Sequence, residues 1–489
     1  VNYIGTEEEK ENIEIRYRNE YLKNATWNYI PNPSFTENNL TYQQNKDGVT
    51  CTLIRCDKDL EGKVEIPEQV NGFTVSAIGN NVFKKNEKIT SVSLPKGIEK
   101  LGQQVFYDCV NLEEVKLAGK FEELPDYSFY QCTSLKSITF PENLKTIKDS
   151  CFLGCTKLDK VDIPEGVETI GYRAFMACGM SELNIPESVK SIWGMAFSGC
   201  SKLKSVVIPS QVTAISQNTF SDCTSLTSIK LPESLTAIGA YAFCRCANLT
   251  EIKLPDSVTE IDSGAFSACY KLTDINIPSK VTMISEELFL GCKSLEKITI
   301  PDTITEMGHS VFQYCENLKK ITIPKGVTSI ESYTFSGCSN LESITIFKAL
   351  KEVGYNTFEG CKSLNKVIYN GTESDRKQIE ILDGENEYFE NANWEYVDES
   401  NPCGKNAKWI LEDNTLTILG SGAITSYNKA AEQPWYDQKE EITSLVIKDG
   451  ITSIGAFDFY GLPNLKTVTI ADSVTKIGEY AFKNCNALT

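Results

Sequence analysis

The chain has 489 residues, with 66 acidic and 48 basic side chains, so its formal net charge at pH 7 is −18. An acidic protein repels nucleic-acid backbones and anionic membranes, so neither is expected as a partner. No apolar run is long enough to span a bilayer, and the first residues are too polar and acidic to open a signal peptide. A single globular domain of this length would be unusual, whereas repeat proteins can lengthen indefinitely.

Residues 1–38 are similar to a later part of the same chain. The matching segments are Val1–Thr6 with Val367–Thr372 and Asn24–Tyr29 with Asn391–Tyr396. Because the later copy directly follows a repeat array, we interpret residues 1–38 as the end module of an upstream array, and we expect the chain to begin inside a longer protein. An acidic helical stretch from Thr6 to about Ile15 and a strand with Trp27 would cover the apolar end of the last coil. The alternative is a binding role for Trp27 or Trp394.

Residues 39–63 predict a hairpin that opens the main array. Leu40–Tyr42 and Val49–Ile54 alternate between apolar and polar side chains, and Lys46-Asp47-Gly48 stands between them. Alternation on both sides of a turn that contains glycine is typical of a β-hairpin. Such a hairpin would cover the first coil of the array.

Residues 64–369 repeat a unit of about 23 residues in roughly thirteen coils. One column of the repeat is always phenylalanine: Phe83, Phe106, Phe129, Phe152, Phe175, Phe197, Phe220, Phe243, Phe266, Phe289, Phe312, Phe335 and Phe358. Every step is 23 residues except that from Phe175 to Phe197, where one residue is missing in the turn after Cys178. A fixed period of this length is typical of a solenoid, in which each coil stacks on its neighbours.

Each coil carries the pattern Leu-x-x-Ile-x-Ile-Pro, then Val-x-x-Ile, then Ala-Phe-x-x-Cys, as in Leu249–Cys269. Apolar residues two apart predict a strand with one buried face, and proline ends that strand. The Val-x-x-Ile segment predicts a second short strand. Phe and Cys, three residues apart, would share one face of a helical turn. Only stacked coils can bury all of these side chains in one core.

Most of the 18 cysteines occupy one column of the repeat, from Cys109 to Cys361. Neighbours in this column would lie about 4.8 Å apart, so a disulfide is within reach by distance alone. Their Cβ vectors would run parallel, however, and we therefore favour buried thiols that pack as small apolar groups. Five cysteines lie outside the column: Cys51, Cys56, Cys151, Cys244 and Cys403. Of these, a Cys51–Cys56 bridge is conceivable.

After the main array, residues 370–400 repeat the end module. Residues 401–441 predict a linker and a second hairpin, and residues 442–489 begin a second array whose coils again carry Phe and Cys. The fold class expected is therefore a mainly parallel β-solenoid with short helical turns, wound as a right-handed superhelix and closed by end modules.

The repeat resembles the BspA-like leucine-rich repeats of bacterial and some protist surface proteins. The resemblance rests on Leu-x-x-Ile-x-Ile-Pro-x-x-Val-x-x-Ile-Gly-x-x-Ala-Phe-x-x-Cys, which covers most of the chain. It implies a leucine-rich-repeat fold and an extracellular or surface-attached binding role.

No motif in the sequence carries an enzyme signature. His309 is the only histidine, and Gly308-His309-Ser310 lacks the partners of a nucleophile elbow. Gly420-Ser421-Gly422 lacks the third glycine and the lysine of a phosphate loop. The cysteines form no Cys-x-x-Cys pair, which makes a metal site improbable. We therefore expect no catalysis, no cofactor and no metal.

The candidate binding residues are aromatic. They are Tyr107, Tyr127, Tyr130, Tyr172 and Trp193, all near the turns of the second to fifth coils. Aromatic clusters often dominate binding surfaces, although half-buried packing between turns is the alternative. The sequence thus favours a monomeric, non-catalytic adhesion protein, on the cell surface or secreted, whose partner is a host or neighbouring-cell protein or a glycan. The alternative is a structural spacer in a longer surface protein.

Overall fold

The computed structural model describes residues 2–4, 20–30, 33–397 and 401–488. They belong to two compact units, Val1–Leu295 and Glu296–Thr489. Both units are built mainly from short parallel strands. The α-helices described are single turns, Glu20–Lys23, Glu373–Arg376 and Glu387–Glu390, and two 3-10 helices are formed by Ala430–Glu432 and Tyr436–Gln438. The helical stretch predicted between Thr6 and Ile15 lies outside the described residues. None of the helices described has the length and apolar composition that a membrane crossing needs.

Row A contains the strand that most coils form from their Leu-x-x-Ile-x-Ile segment; residues 295–300, the same segment of one coil, form no strand. In the first unit its strands are Gly62–Glu65, Ile89–Leu94, Glu114–Leu117, Ser137–Thr139, Lys160–Asp162, Glu182–Asn184, Ser205–Val207, Ser228–Lys230, Glu251–Ile252 and Asp274–Ile275. In the second unit they are Lys320–Thr322, Ser343–Phe347, Lys366–Asn370 and Asn393–Tyr396. The predicted first strand of the coil is confirmed.

Row B contains the shorter strand from each Val-x-x-Ile segment. In the first unit its strands are Lys100–Leu101, Glu123–Leu124, Thr146–Ile147, Thr169–Ile170, Ser191–Ile192, Ala214–Ile215, Ala237–Ile238, Glu260–Ile261 and Met283–Ile284. In the second unit they are Glu306–Met307, Ser329–Ile330, Glu352–Val353 and Glu380–Ile381. The second residue of each pair, most often isoleucine, is buried, as in Ala237–Ile238; Ile381, in the last pair, is half-buried.

The register of the strands follows the repeat. Val115 pairs in parallel with Val92 on one side and with Ile138 on the other, and each partner lies one full period away. Lys160 pairs with Glu182, which is one position short of a full period, across the coil that lacks a residue. The shortened turn needs Gly179, because a Cβ there would lie 2.0 Å from the carbonyl oxygen of Thr156.

The third side of each coil, here called the turn row, consists of two β-turns rather than a helical turn. In the coil of Phe175, Ala174 N–H donates to the carbonyl of Gly171, and Cys178 N–H donates to that of Phe175. The third residue of each turn, Arg173 or Ala177, has a φ of +56° or +55°. A positive φ at the third position is typical of a type II turn, and it breaks a helix. Phe175 and Cys178 still face the core, as predicted.

The turn-row peptide groups that donate to the next coil all point in one direction along the stack. In the coil of Phe129, the N–H of Phe129 donates to the carbonyl of Cys151 in the next coil. Two positions to either side, Tyr127 and Gln131 donate to that coil in the same way. The second unit repeats the pattern, with Phe335 donating to Thr357. Each stack of turns therefore presents carbonyl groups at its first coil and N–H groups at its last.

Stacked phenylalanine rings form the centre of the core. In the first unit the rings from Phe83 to Phe289 stack with centroids 5.0–6.0 Å apart. In the second unit Phe312, Phe335 and Phe358 continue in the same way, at 5.6 and 5.5 Å. All of these rings are fully buried. The Phe column is therefore the core that the period predicts.

The segment before the array forms a mixed sheet that joins the first coil, because its antiparallel strands are extended by a parallel pair, Thr50–Cys56 with Phe73–Ile78. Its strands are Ser34–Glu37, Leu40–Gln44, Thr50–Cys56 and the strand Phe73–Ile78, which also pairs with Gln69–Val70. The strand Leu40–Gln44 pairs with both neighbours, Ser34–Glu37 and Thr50–Cys56, so the predicted hairpin contains a third strand. At its end the Cys56 thiol donates to the carbonyl of Val82, a turn-row carbonyl of the first coil.

Residues 370–397 follow the last coil and pack on it. The Phe389 ring stacks on Phe358 with centroids 4.5 Å apart. The Asn386 side-chain oxygen accepts a hydrogen bond from Phe358 N–H, where a carbonyl of a further coil would otherwise lie. Trp394 donates its indole N–H to the carbonyl of Phe389, five positions earlier, and Trp27 donates to the carbonyl of Leu22 at the same spacing.

Residues 401–488 form a second stack around a long bent strand, Thr415–Ile424, which pairs with Gly404–Glu412 as a hairpin. The first part of the bent strand pairs with Ser444–Ile447 and its last part with Ile451–Ile454, so it joins rows A and B. Gly420 allows the bend, because its φ is +106° and a Cβ would lie 2.1 Å from the carbonyl oxygen of Asn406. The remaining strands are Thr467–Ile470 and Lys476–Ile477.

Candidate functional site

The cysteine column is a ladder of buried thiols. Each thiol donates to the carbonyl oxygen of the phenylalanine in the preceding coil, with Sγ–O distances of 2.9–3.3 Å. These donors are Cys109, Cys132, Cys155, Cys178, Cys200, Cys223, Cys246, Cys269, Cys292, Cys338, Cys361 and Cys485. Burial raises the pKa of Cys109 to about 12 and that of Cys269 well above its usual value. A protonated, buried thiol is a poor nucleophile and a poor metal ligand, so the column has a packing role.

Cysteines outside the column are also present as thiols. Cys51 and Cys56 lie at opposite ends of one strand, so the conceivable bridge between them does not form. Cys151 and Cys403 are buried, and Cys244 is half-buried. Burial raises the pKa of Cys244, which leaves its thiol protonated near neutral pH.

Three of the predicted binding residues form one contact group, here called the tyrosine cluster: Tyr107, Tyr127 and Tyr130. The rings of Tyr107 and Tyr130 stack with centroids 4.6 Å apart, and Tyr127 meets Tyr130 edge to face at 5.8 Å. The ammonium group of Lys84 lies 4.7 Å above the Tyr107 ring. Tyr127 is 38% exposed, so the cluster presents a rigid aromatic surface with a cation at one side.

The other two predicted residues lie apart from the tyrosine cluster. The hydroxyl group of Tyr172 lies 3.4 Å from the sulfur of Met195, and the guanidinium of Arg173 lies 4.7 Å from the Tyr172 ring. Trp193 is 58% exposed. Among the described residues no ring contact joins Tyr172 or Trp193 to the cluster. The coil between them has Ser150 and Leu153 at the positions that Tyr127 and Tyr130 occupy in the preceding coil.

The sequence analysis missed a second arrangement of tyrosines on the turn row. The Tyr241 ring lies along the stack over Gly264 and reaches the Glu287 carboxylate, two coils away, with a 3.1 Å hydrogen bond. Tyr314 lies over Gly337 in the same manner and is 51% exposed. The signal available in the sequence was a glycine one full period after each tyrosine, because a Cβ there would collide with the ring.

No catalytic arrangement is visible in the part of the chain that the structure describes. His309 is exposed on the turn row, and its Nδ1 lies 3.5 Å from the Ser310 hydroxyl group. Within the same residues, no group of three or more His, Cys, Asp or Glu side chains could hold a metal ion.

The comparisons with known proteins match the repeats directly. The model of the BspA-type leucine-rich-repeat region matches residues 63–179, 168–296, 265–380 and 431–489, which together make up well over half of the chain. The chain belongs to the BspA-type leucine-rich-repeat family. Proteins of this fold and family are typically non-enzymatic.

Two solved structures of similar proteins come from bacteria. A leucine-rich-repeat protein from Bacteroides ovatus is 27% identical, covers 74% of this chain and all of its own, and has a TM-score of 0.59. A protein described as a leucine-rich cell-surface protein, from Faecalibacterium prausnitzii, is 25% identical, with 72% and 98% of the two chains covered and a TM-score of 0.37. No curated protein matches the chain. The chain is thus a leucine-rich-repeat solenoid of the BspA type.

Proposed function

We propose that this protein is a non-catalytic adhesion protein, on the cell surface or secreted, that presents the turn row of its solenoid to a protein or a glycan. The observation that carries the proposal is the tyrosine cluster. Its stacked rings are held by fully hydrogen-bonded turns, so little side-chain entropy is lost when a partner covers them. Aromatic side chains on a rigid surface are the usual anchors of a binding interface.

A second candidate function is a structural spacer, and one observation favours it. Much of the exposed surface repeats short polar side chains that bond only to the neighbouring coil, as in Thr236 to the carbonyl of Thr213 and Thr259 to that of Thr236. A surface whose polar side chains already form hydrogen bonds to the neighbouring coil keeps the stack rigid and offers a partner few groups to bind.

A binding screen can distinguish the adhesion function from the spacer function. In it, the protein is tested against a glycan array and a panel of extracellular matrix proteins. Two double variants test the predicted residues, Tyr127→Ala/Tyr130→Ala for the tyrosine cluster and Tyr172→Ala/Trp193→Ala for the other group. We expect the first variant to weaken binding of any ligand found by at least about tenfold, as for the loss of an interface anchor.

A matched control is Tyr270→Ala/Met283→Ala, which removes two other exposed side chains of the same unit, 43% and 49% accessible. Its binding should equal that of the parent protein. Equal binding by the tyrosine-cluster variant would refute the proposed surface. Binding to none of the probes would favour the spacer.

A further inference from the structure

The second stack carries another group of aromatic side chains on its turn row, here called the Phe457 cluster: Phe457, Tyr460 and Tyr480. The centroid of the Phe457 ring lies 5.4 Å from that of Tyr460 and 5.2 Å from that of Tyr480. The ammonium group of Lys483 lies 4.9 Å from the centre of the Tyr480 ring. Tyr480 is 51% exposed, and the other two side chains are half-buried. The cluster therefore presents aromatic rings and a cation to solvent.

The Phe457 cluster repeats the layout of the tyrosine cluster. In each, one ring stands two positions before the core phenylalanine of its coil and another stands one position after it: Tyr127 and Tyr130 in the first cluster, Phe457 and Tyr460 in the second. No other coil in the sequence has aromatic residues at both positions. In each cluster a lysine ammonium also lies against a further ring, at 4.7 and 4.9 Å. The same arrangement thus occurs once in each unit.

Packing alone does not account for rings at these positions. The residue two before the core phenylalanine has a positive φ, +56° at Tyr127 and +59° at Phe457. Such a φ suits glycine and asparagine, and other coils have Asn218, Gly264 and Asn356 at this position. A bulky aromatic residue there carries a backbone cost, and its ring still remains partly exposed to water. The rings therefore point to a surface that a partner covers.

We propose that the Phe457 cluster is a second binding site of the same kind as the tyrosine cluster, and that both sites bind one neutral polysaccharide. The inference rests on the function proposed above and names its class of ligand. Two sites with one layout suit a ligand that repeats its own unit, whereas a folded protein presents a given epitope once. The C–H face of a sugar ring packs on an aromatic ring, and sugar hydroxyl groups accept hydrogen bonds from the ammonium groups of Lys84 and Lys483.

The net charge of the chain decides between neutral and acidic polymers. At −18 it repels a polymer with many carboxylate or sulfate groups, so the ligand expected is neutral. A polymer attached at both clusters dissociates only when both release it. Loss of either cluster should therefore weaken binding of the polymer strongly, although the other cluster is intact.

Affinity electrophoresis of the whole chain in native gels that contain laminarin, mannan or dextran tests the proposal. The Phe457-cluster variant is Tyr460→Ala/Tyr480→Ala, and Tyr480→Ala alone changes a single exposed side chain. The matched control is Tyr314→Ala/Tyr355→Ala, which removes two other tyrosines of the same unit, 51% and 46% exposed. Circular dichroism checks that each variant is folded. The tyrosine-cluster variant of the binding screen and a combination of both cluster variants complete the set.

We expect at least one polysaccharide to slow the parent protein, and the apparent Kd to rise at least about tenfold in either cluster variant. The combined variant should migrate as it does without polysaccharide, and the control variant should migrate as the parent does. Parent-like affinity of the Phe457-cluster variant, with binding lost in the tyrosine-cluster variant, would refute the second site and leave the proposed function standing. Binding of the parent to a matrix protein but to no polysaccharide would refute the ligand class alone, and binding to neither would refute both.

Discussion

Asp458 makes the stability of the second stack depend on pH. Its side chain is fully buried, Oδ2 accepts a hydrogen bond from Gly455 N–H, and Oδ1 has no partner. Burial raises the pKa of this carboxyl group to about 7, and its neighbours Cys403 and Tyr427 have raised pKa values as well. In the unfolded chain the same carboxyl group has its ordinary pKa of about 4.

The sign of the effect follows from which state holds the proton. Between about pH 4 and pH 7 the folded protein keeps Asp458 protonated while the unfolded chain has lost that proton. Stability therefore falls as the pH rises through this window and levels off above it. The difference between the two pKa values corresponds to ~4 kcal/mol. Residue 458 of an Asp458→Asn variant is neutral in both the folded and the unfolded state, so the stability of this variant should not fall over this pH range for this reason.

Amide hydrogen exchange measured by mass spectrometry on peptides from 444–470 can report the difference. Parent and variant are compared at the same pH, so intrinsic exchange rates cancel. At pH 8 the slowest amides of Asp458→Asn should exchange up to ~1000-fold more slowly than those of the parent, and at pH 4 nearly equally. Asp472→Asn, at an exposed position of the same stack, is the control. If the ratio of the exchange rates of variant and parent is the same at pH 4 and pH 8, the reasoning is refuted.

Three further predictions concern the core rings, the thiols and a turn glycine. Phe266→Ala should cost about 3–5 kcal/mol in urea unfolding, because the ring stacks on Phe243 and Phe289 and leaves a cavity; a loss below about 1 kcal/mol would contradict the role of the Phe column. Thiol counting on the native protein should detect few of the 18 cysteines, whereas counting after denaturation without reductant should detect most; a largely oxidised protein would contradict the thiol ladder. Gly264→Ala should cost about 2–3 kcal/mol, because φ is +60° and the new Cβ meets the Tyr241 ring. In a Tyr241→Ala background the same change should cost only about 1 kcal/mol, the backbone part.

The sequence predicts the solenoid because its core residues are chemically uniform. Phenylalanine recurs at the position of Phe266 in every coil of the main array, and cysteine recurs at that of Cys269 from Cys109 to Cys361. Their spacing gives the period and the buried column, and the Leu-x-x-Ile-x-Ile and Val-x-x-Ile segments give the row A and row B strands. The turn row was assigned a helical turn because Phe and Cys at positions i and i+3 also fit a helix. What decides against a helix is the positive φ two positions before and after each phenylalanine, and the residues at those positions vary widely.

Tyr241, Arg173 and Met195 all adopt that left-handed conformation, although none of them favours it. Hydrogen bonds to the next coil impose it, and such contacts are visible only in the stack. The candidate binding residues show the same limit. The column position of Tyr107 and Tyr130 predicts that they stack, and they do. Tyr172 and Trp193 occupy other columns, so a list of nearby aromatic residues could not reveal that they form a separate group.

Because the turn-row peptides that link coils share one direction, the two ends of each stack differ chemically. One end presents carbonyl groups and the other presents N–H groups. Donors such as the Cys56 thiol and the Gln433 amide meet the carbonyl end, and the Asn386 oxygen meets the N–H end. A duplicated coil of one full period, inserted within either unit, would leave the end groups of that unit chemically unchanged. The length of the solenoid is therefore free to vary in whole coils, while its closures stay fixed. The shortened coil shows what a departure from that rule requires, namely a glycine such as Gly179 at the point of the deletion.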